Sequence, residues 1–349
     1  MVLHIFNPGH DEALAAHTPY YTDTKAAKML TSHLWNLPNL WKGADDLVLS
    51  PDEIKKGGVA WENVTEIRPW GWDAALCRCL QRGGAPERLL PEPEQLEKIR
   101  ALSSRKSAVT LLSRLPHDGI CRNCWCESEE AFRECLEDFG RSVVKSPWSC
   151  SGRGVFGING VPTEAQWSRI RRIISSQGAV EIEPYYHRIE DAALIFECGK
   201  DGRITYLGLS RFLTNENGDY LGNLVSPDFF GRTTLREFDL APLIDSLRLE
   251  LETLLSGCYS GVLGVDIMVI RKEGAAETGD SADNCLIHPC IELNLRPTMG
   301  WVALQLSRHP KVNGRRGVFE TGMSAQVGEN AEILCGDGVM GAYFTPETE

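Results

Sequence analysis

The sequence predicts an α/β (α+β) protein in which a small βαβ domain precedes a larger part that contains an antiparallel strand pair. Near the N-terminus, strand and helix patterns alternate, as in βαβ units. Towards the C-terminus, two short apolar segments, residues 261–270 and 288–295, are predicted strands. The polar stretch between them, residues 271–284, is typical of a long hairpin loop.

The N-terminal domain supplies the first candidate site residues. Strands are predicted over residues 2–7, 45–50 and 64–69, with a helix from Asp11. Open α/β sheets bind ligands in the loops that follow their strands. Asn7, His10, Asp11 and Asp73 lie in such loops and are candidate substrate contacts. Helix capping by the Asn and Asp side chains is the alternative interpretation.

The segment Leu90-Pro-Glu-Pro-Glu is a predicted domain boundary. It divides the chain into an N-terminal domain (1–92), a second subdomain (93–187) and a C-terminal subdomain (188–349). Residues 93–115 have the pattern of two helices, and the second helix carries Arg105 and Lys106.

A glycine-rich loop follows the predicted strand that ends at Lys145. Its backbone N–H groups are suited to cradle phosphates, while the lysine meets their charge. A dinucleotide-binding turn needs a helix directly after its glycines, whereas a second strand over residues 155–158 comes first here. We therefore predict a nucleotide flap, with a plain hairpin as the alternative. Its candidate contacts are Ser149, Ser151, Gly152 and Gly154.

The strand over residues 288–295 alternates polar and apolar residues. Glu292, Asn294 and Arg296 should share one face, because side chains alternate along a strand. Ile291, Leu293 and Leu295 should then face the core. A carboxylate, an amide oxygen and a guanidinium on one face suit Mg²⁺ bridged to a phosphate.

Asp266 is the one charge in the apolar strand 261–270, and a buried carboxylate is costly unless it is paired or binds a metal. Antiparallel pairing of Asp266 with Glu292 would place Ile270 opposite His288 and let Asp266 join the same polar face. The alternative is an Asp held by backbone donors beside a surface Glu-x-Asn.

The order of these parts resembles the ATP-grasp superfamily, which includes D-alanine–D-alanine ligases, biotin carboxylase and carbamoyl phosphate synthetases. The resemblance covers residues 95–310 and implies two subdomains that enclose a nucleotide. It implies a hinge led by Glu183, where the Pro184 carbonyl and the Tyr186 N–H contact adenine. A second carboxylate holds the ribose, and Glu190 and Asp191 compete for that role.

The same resemblance implies the remaining roles. Asp266, Glu292 and Asn294 hold one or two Mg²⁺ ions, and Lys145 and Lys106 bind phosphates, with Arg105 as a competitor of Lys106. Arg296 stabilises an acyl phosphate, and Arg211 is a candidate anchor for the acceptor carboxylate. The D-alanine ligases carry an Arg two residues before the strand Asp, where this chain has Gly264. Peptidoglycan-type dipeptide synthesis is therefore not predicted.

The implied function is an ATP- and Mg²⁺-dependent ligase that joins a small-molecule or peptide carboxylate to a nucleophile. A non-catalytic nucleotide-binding module would show the same motifs. A zinc-organised interaction protein is a further alternative, which would rest on Cys121, Cys124 and Cys126, although the second cysteine pair of a zinc site is missing.

Composition limits the partners. A net charge of −12 argues against a nucleic-acid or anionic-membrane partner, because phosphate backbones need a basic surface. No apolar segment approaches the roughly 20 residues that span a bilayer, and the first residues lack a signal-peptide pattern. We therefore expect a cytoplasmic protein, a possible homodimer, with free thiols rather than disulfides.

Overall fold

The computed structural model describes residues 1–349 except 118, 150–153, 216–219, 227–232, 273, 275–281 and 348–349. Three sheets organise the described chain. The predicted residues 151 and 152 of the flap lie outside the described residues.

The N-terminal part contains a small parallel sheet with the strand order β2-β1-β3. Three of its four helices follow a strand, and two of these three are capped at the N-terminus by the side chain of Ser50 or Asp73. The elements are β1 (Val2–Ile5), α1 (His10–Ala16), α2 (Lys25–Leu34), β2 (Leu47–Val48), α3 (Pro51–Lys56), β3 (Glu66–Pro69) and α4 (Ala74–Arg82).

The second part contains an antiparallel sheet with the order β4-β7-β5-β6. Helices α7 and α8 cover one face of this sheet through an apolar cluster around Phe132 and Trp167. The elements are α5 (Pro93–Leu102), α6 (Lys106–Arg114), β4 (Cys124–Cys126), α7 (Glu129–Phe139), β5 (Ser142–Lys145), β6 (Val155–Ile158), α8 (Glu164–Gln177) and β7 (Val180–Pro184).

The third part is an antiparallel sheet with the order β12-β11-β8-β9-β10-β13-β15-β14. Its elements are β8 (Arg188–Cys198), β9 (Ile204–Thr214), β10 (Tyr220–Val225), α9 (Ala241–Leu255), β11 (Gly261–Arg271), β12 (Cys285–Asn294), α10 (Met299–Ser307), β13 (Gly317–Met323), β14 (Glu332–Gly336) and β15 (Met340–Pro346).

The two faces of this large sheet have different neighbours. Alternate apolar residues of β8 and β11 pack against α6 and α9 and form the largest core, which includes the fully buried Leu194, Phe196 and Val265. On the opposite face, Ala193 and Ile195 pack against α10. This second face carries Asp266, so the alternation of each strand decides which polar residues reach it.

Candidate functional site

The site begins at the antiparallel pair of β11 and β12. Asp266 lies opposite Glu292, as predicted, and Gly264 lies opposite Asn294. The Asn294 amide nitrogen donates to Asp266 Oδ2 at 3.3 Å. The three predicted metal ligands are therefore brought together on one face of the sheet.

The predicted pairing of Ile270 with His288 is wrong. Ile270 lies opposite Leu286, and His288 lies opposite Met268, because β12 has two extra residues in the register between Glu292 and His288. Pro289 lies in this irregular segment of an edge strand, the position in which a sheet tolerates proline. The bulge also changes the predicted core face: Cys290 is buried in the core, whereas Ile291 is only half-buried.

The two carboxylates repel each other. Burial, followed by the nearby charge of Glu292, raises the pKa of Asp266 to about 7, against the opposing effect of Arg296. A pair of like charges in a buried site favours the binding of a cation.

Arg296 connects this face to the N-terminal part. Its guanidinium donates to Asp11 of α1, with Nη2 2.8 Å from Asp11 Oδ2. Burial by itself would raise the pKa of Asp11, but the charge and hydrogen bond of Arg296, together with the charges of His10 and Arg105, outweigh this effect and lower the pKa. Asp11 is thus an ionised partner of Arg296 at the boundary between two sheets.

Arg105, rather than Lys106, lies at the site. The Arg105 side chain is buried, and its Nη2 lies 2.9 Å from Glu292 Oε1. Its Nη1 also approaches Ser149 Oγ of the flap at 3.5 Å. Lys106 instead lies on the surface, with its ammonium 3.3 Å from Glu127. The contact predicted for Lys106 finds no support in this placement.

Lys145 and Glu183 form a second buried pair, with Lys145 Nζ 2.7 Å from Glu183 Oε2. Lys145 lies directly opposite Glu181 in the β5–β7 register. Glu181 is fully buried and accepts from Asn123 at 3.0 Å. Burial raises its pKa to about 7, although Lys145 opposes the shift. Glu181 is not among the predicted site residues, although its spacing from Glu183 places both carboxylates on one face of a strand.

The predicted hinge comes directly after Glu183 in the chain. Pro184 ends β7, and the Tyr186 hydroxyl accepts from the Arg122 backbone N–H at 2.7 Å. The Tyr186 ring meets the His288 ring in an edge contact, with centroids 5.3 Å apart. The hinge thus lies against β12, while the predicted adenine contacts of Pro184 and Tyr186 remain a prediction.

The two candidates for the ribose lie on opposite faces of the large sheet. Asp191 lies opposite Met268 on the face that carries Asp266, and accepts from Thr214 Oγ1 at 2.7 Å. Glu190 is on the other face, where it pairs with Arg211. Arg211, predicted to anchor the acceptor carboxylate, therefore lies away from the metal-binding face.

The flap is a hairpin of β5 and β6 whose described loop residues include Ser149 and Gly154. A Cβ at Gly154 would lie 2.4 Å from Ser149 Oγ, so only glycine lets the two segments approach so closely. Ser151 and Gly152, also predicted to bind phosphate, lie outside the described residues.

The other N-terminal candidates form a structural network. Asp73 Oδ1 accepts from the Leu76 N–H at 2.8 Å and caps α4. Asn7 donates to the Gly71 carbonyl and to Asp73. His10 is buried 3.6 Å from Asp73. These contacts fit the capping alternative, and a substrate role for Asn7, His10 and Asp73 remains a prediction.

A cavity of about 270 Å³ joins the separate parts. Its lining residues come from α1, the flap and the metal-binding face, and include Asp11, Glu12, Arg105, Ser149, Asp266, Glu292, Asn294 and Arg296. The remainder of the lining is partly apolar, with Trp70, Phe212 and Met299. A small polar or mixed ligand in this cavity would lie directly beside the predicted metal ligands.

The zinc alternative finds no support. Cys126 Sγ lies 3.8 Å from Cys135 Sγ, whereas the Cys121 thiol is directed towards the Ile287 carbonyl. Among the described residues, no three His, Cys, Asp or Glu side chains form a metal cluster. All described cysteines are free, as predicted.

Comparison with solved structures confirms the predicted fold. The chain is similar over its whole length to the N5-carboxyaminoimidazole synthetase of Staphylococcus aureus in complex with ADP, with a TM-score of 0.52, 11% identity and 93% of that chain covered. An N5-carboxyaminoimidazole ribonucleotide synthetase in complex with ADP gives 0.52, 15% identity, and 100% and 92% coverage of the two chains.

The chain therefore has the ATP-grasp fold. Pyruvate carboxylase of Rhizobium etli is also similar, with a TM-score of 0.52 and 13% identity, over 85% of this chain and 29% of that one. No protein-family model and no curated protein sequence matches the chain. Within the described residues, no helix has both the length and the apolar character needed to span a bilayer.

Proposed function

We propose that the protein is an ATP- and Mg²⁺-dependent ligase that activates a carboxylate as an acyl phosphate for attack by an amine or another nucleophile, releasing ADP. One observation carries the proposal: Asp266, Glu292, Asn294 and Arg296 line the same cavity. The likeness to ADP-bound synthetases shows the fold alone and is consistent with a nucleotide at this place.

The residues of the site fit Mg²⁺ and a triphosphate. Mg²⁺ is usually bound by one or two carboxylates together with substrate phosphates, and Asp266 and Glu292 supply the carboxylates. Two buried polar atoms near the site, Arg105 Nε and Glu181 Oε2, have no hydrogen-bond partner among the described residues. Buried polar groups are normally paired, so these atoms are consistent with a polar ligand.

In this proposal, Asp266, Glu292 and Asn294 hold the metal, which neutralises phosphate charge when it is bound. Arg105 and Lys145 bind the phosphates, and Arg105 takes the role first given to Lys106. Phosphoryl transfer depends mainly on alignment and charge neutralisation, which these cations provide.

Arg296 would stabilise the charge on the activated carboxylate, and its ion pair with Asp11 would fix its orientation. Ser149 and Gly154 would close over the phosphates as part of the flap, which would exclude water from a reactive acyl phosphate. Asp191 would hold the ribose, because it lies on the same face of the sheet as Asp266. We assign no substrate contact to Arg211, because it pairs with Glu190 on the opposite face.

The test is an ADP-release screen in which small-molecule and peptide carboxylates are crossed with amino acids and amines. The proposal predicts ADP release that needs Mg²⁺, one carboxylate and one nucleophile, and that is lost in Asp266→Asn. Nucleotide binding without ADP release for any pair would instead identify a non-catalytic nucleotide-binding module.

A further inference from the structure

His288 is a fully buried histidine on β12 to which no role has been assigned so far. Neither ring nitrogen has a hydrogen-bond partner among the described residues. A neutral imidazole always carries one N–H donor and one acceptor, so both groups are left unpaired. An unpaired buried polar group destabilises a protein, and native proteins rarely keep one without a reason.

The surroundings of His288 give no packing reason for an imidazole. Its register partner at this end of the sheet is the apolar Met268, the Tyr186 ring meets it edge-on, and the Lys145 ammonium is near enough to act on it through its charge. Leu286 and Ile270 belong to the same apolar cluster as Tyr186. A leucine or phenylalanine would fill such a site without the unpaired nitrogens.

The position of His288 points to a ligand. Its partner Met268 is two residues from Asp266 along β11, which puts the two sites about 7 Å apart along the strand. His288 therefore lies beside the metal-binding face and against the predicted hinge. Burial, with the nearby Lys145 charge, lowers the pKa of His288 to about 3, so the ring is neutral at physiological pH.

We propose that His288 is a nucleotide-recognition residue whose neutral imidazole hydrogen-bonds the base of the bound nucleotide and selects adenine. The inference rests on the proposed function. A base suits this site better than a phosphate does, because a neutral ring offers a donor and an acceptor but no charge. Lys145 and Arg105 already supply positive charge for phosphates.

The proposal predicts opposite effects on stability and binding in His288→Phe. Removing the unpaired nitrogens should raise the thermal midpoint of the free protein by about 1–4 °C. Loss of the hydrogen bond should weaken the binding of adenylyl imidodiphosphate with Mg²⁺ by about 3- to 10-fold in calorimetry. Binding of guanylyl imidodiphosphate should stay unchanged, so the preference for adenine falls.

Two further variants complete the test. His288→Gln keeps a neutral donor and acceptor and should retain more of the affinity than His288→Phe does. His187→Phe alters an exposed histidine of the same hinge and should change neither property. Unchanged affinity of His288→Phe for the adenine analogue would overturn the inference, whatever happens to the thermal midpoint, and would leave the proposed function intact. Failure of the wild-type protein to bind the adenine analogue would overturn both.

Discussion

Replacing Glu292 with Gln separates the charge of this residue from its shape. The change keeps the side-chain volume and an oxygen that can accept from Arg105, which lies 2.9 Å away. It removes one of the two carboxylates proposed to hold Mg²⁺. ADP release should fall at least about 100-fold, which equals about 2.7 kcal/mol of transition-state stabilisation.

The same variant should change stability only modestly, because two effects oppose each other. Loss of the charge weakens the ion pair with Arg105, which is buried. It also relieves the repulsion that contributes to the raised pKa of Asp266. Weakening the ion pair destabilises the folded protein, whereas relieving the repulsion between the two carboxylates stabilises it. The two effects should nearly cancel, so the free energy of unfolding should change by no more than about 1 kcal/mol at neutral pH.

The pH dependence of stability tests the repulsion between Asp266 and Glu292 more directly. The pKa of Asp266 is about 7 in the folded protein, against an ordinary value of 3.8. The folded state therefore binds the Asp266 proton more tightly than the unfolded state does. The stabilisation of the folded state by this proton is full below pH 3.8 and is lost as the pH rises towards 7. In Glu292→Gln the pKa should fall, so less stability is lost across this interval. Denaturant unfolding at pH 4 and pH 7, with ADP release measured in parallel, checks both effects. Unchanged ADP release would refute the metal assignment, and complete unfolding would show that Glu292 is structural.

Two further pairs of substitutions test the site from other directions. Arg105→Gln should lower ADP release by at least about 10-fold. Lys106→Ala should leave ADP release nearly unchanged, because the Lys106 ammonium lies on the surface. The reverse result in the same ADP-release assay would support Lys106, rather than Arg105, as the phosphate-binding residue. Asp191→Asn should weaken nucleotide binding in calorimetry, while Glu190→Gln should mainly lower the melting temperature through its partner Arg211; equal losses of affinity in both would contradict the assignment of the two faces.

The order of motifs and the central strand pair could be predicted from the sequence. Asp266 is the one charge in an apolar strand, and Glu-x-Asn alternates with apolar residues in the other strand. This pattern predicts that the polar faces of the two strands adjoin, and the predicted pairing of Asp266 with Glu292 is confirmed. The predicted register is wrong beyond Pro289. A proline inside a predicted strand indicates a bulge or an edge, and this signal was available in the sequence.

Other parts of the site depend on contacts that are distant in the chain. Whether Glu190 or Asp191 reaches the site follows from the pairing of β8 with β11, not from the spacing to the hinge. Arg105 and Lys106 are neighbours, and only the start of α6 at Lys106 decides which one turns inwards. The link between Asp11 and Arg296 joins two sheets, so no local pattern could have predicted it.

The central claim is that this face binds ATP together with Mg²⁺. Calorimetry with adenylyl imidodiphosphate measures this directly, in the presence of Mg²⁺ and then of excess EDTA. We expect binding that collapses when the metal is removed and that weakens in Asp266→Asn. No binding at millimolar nucleotide, or equal binding with and without Mg²⁺, would contradict it.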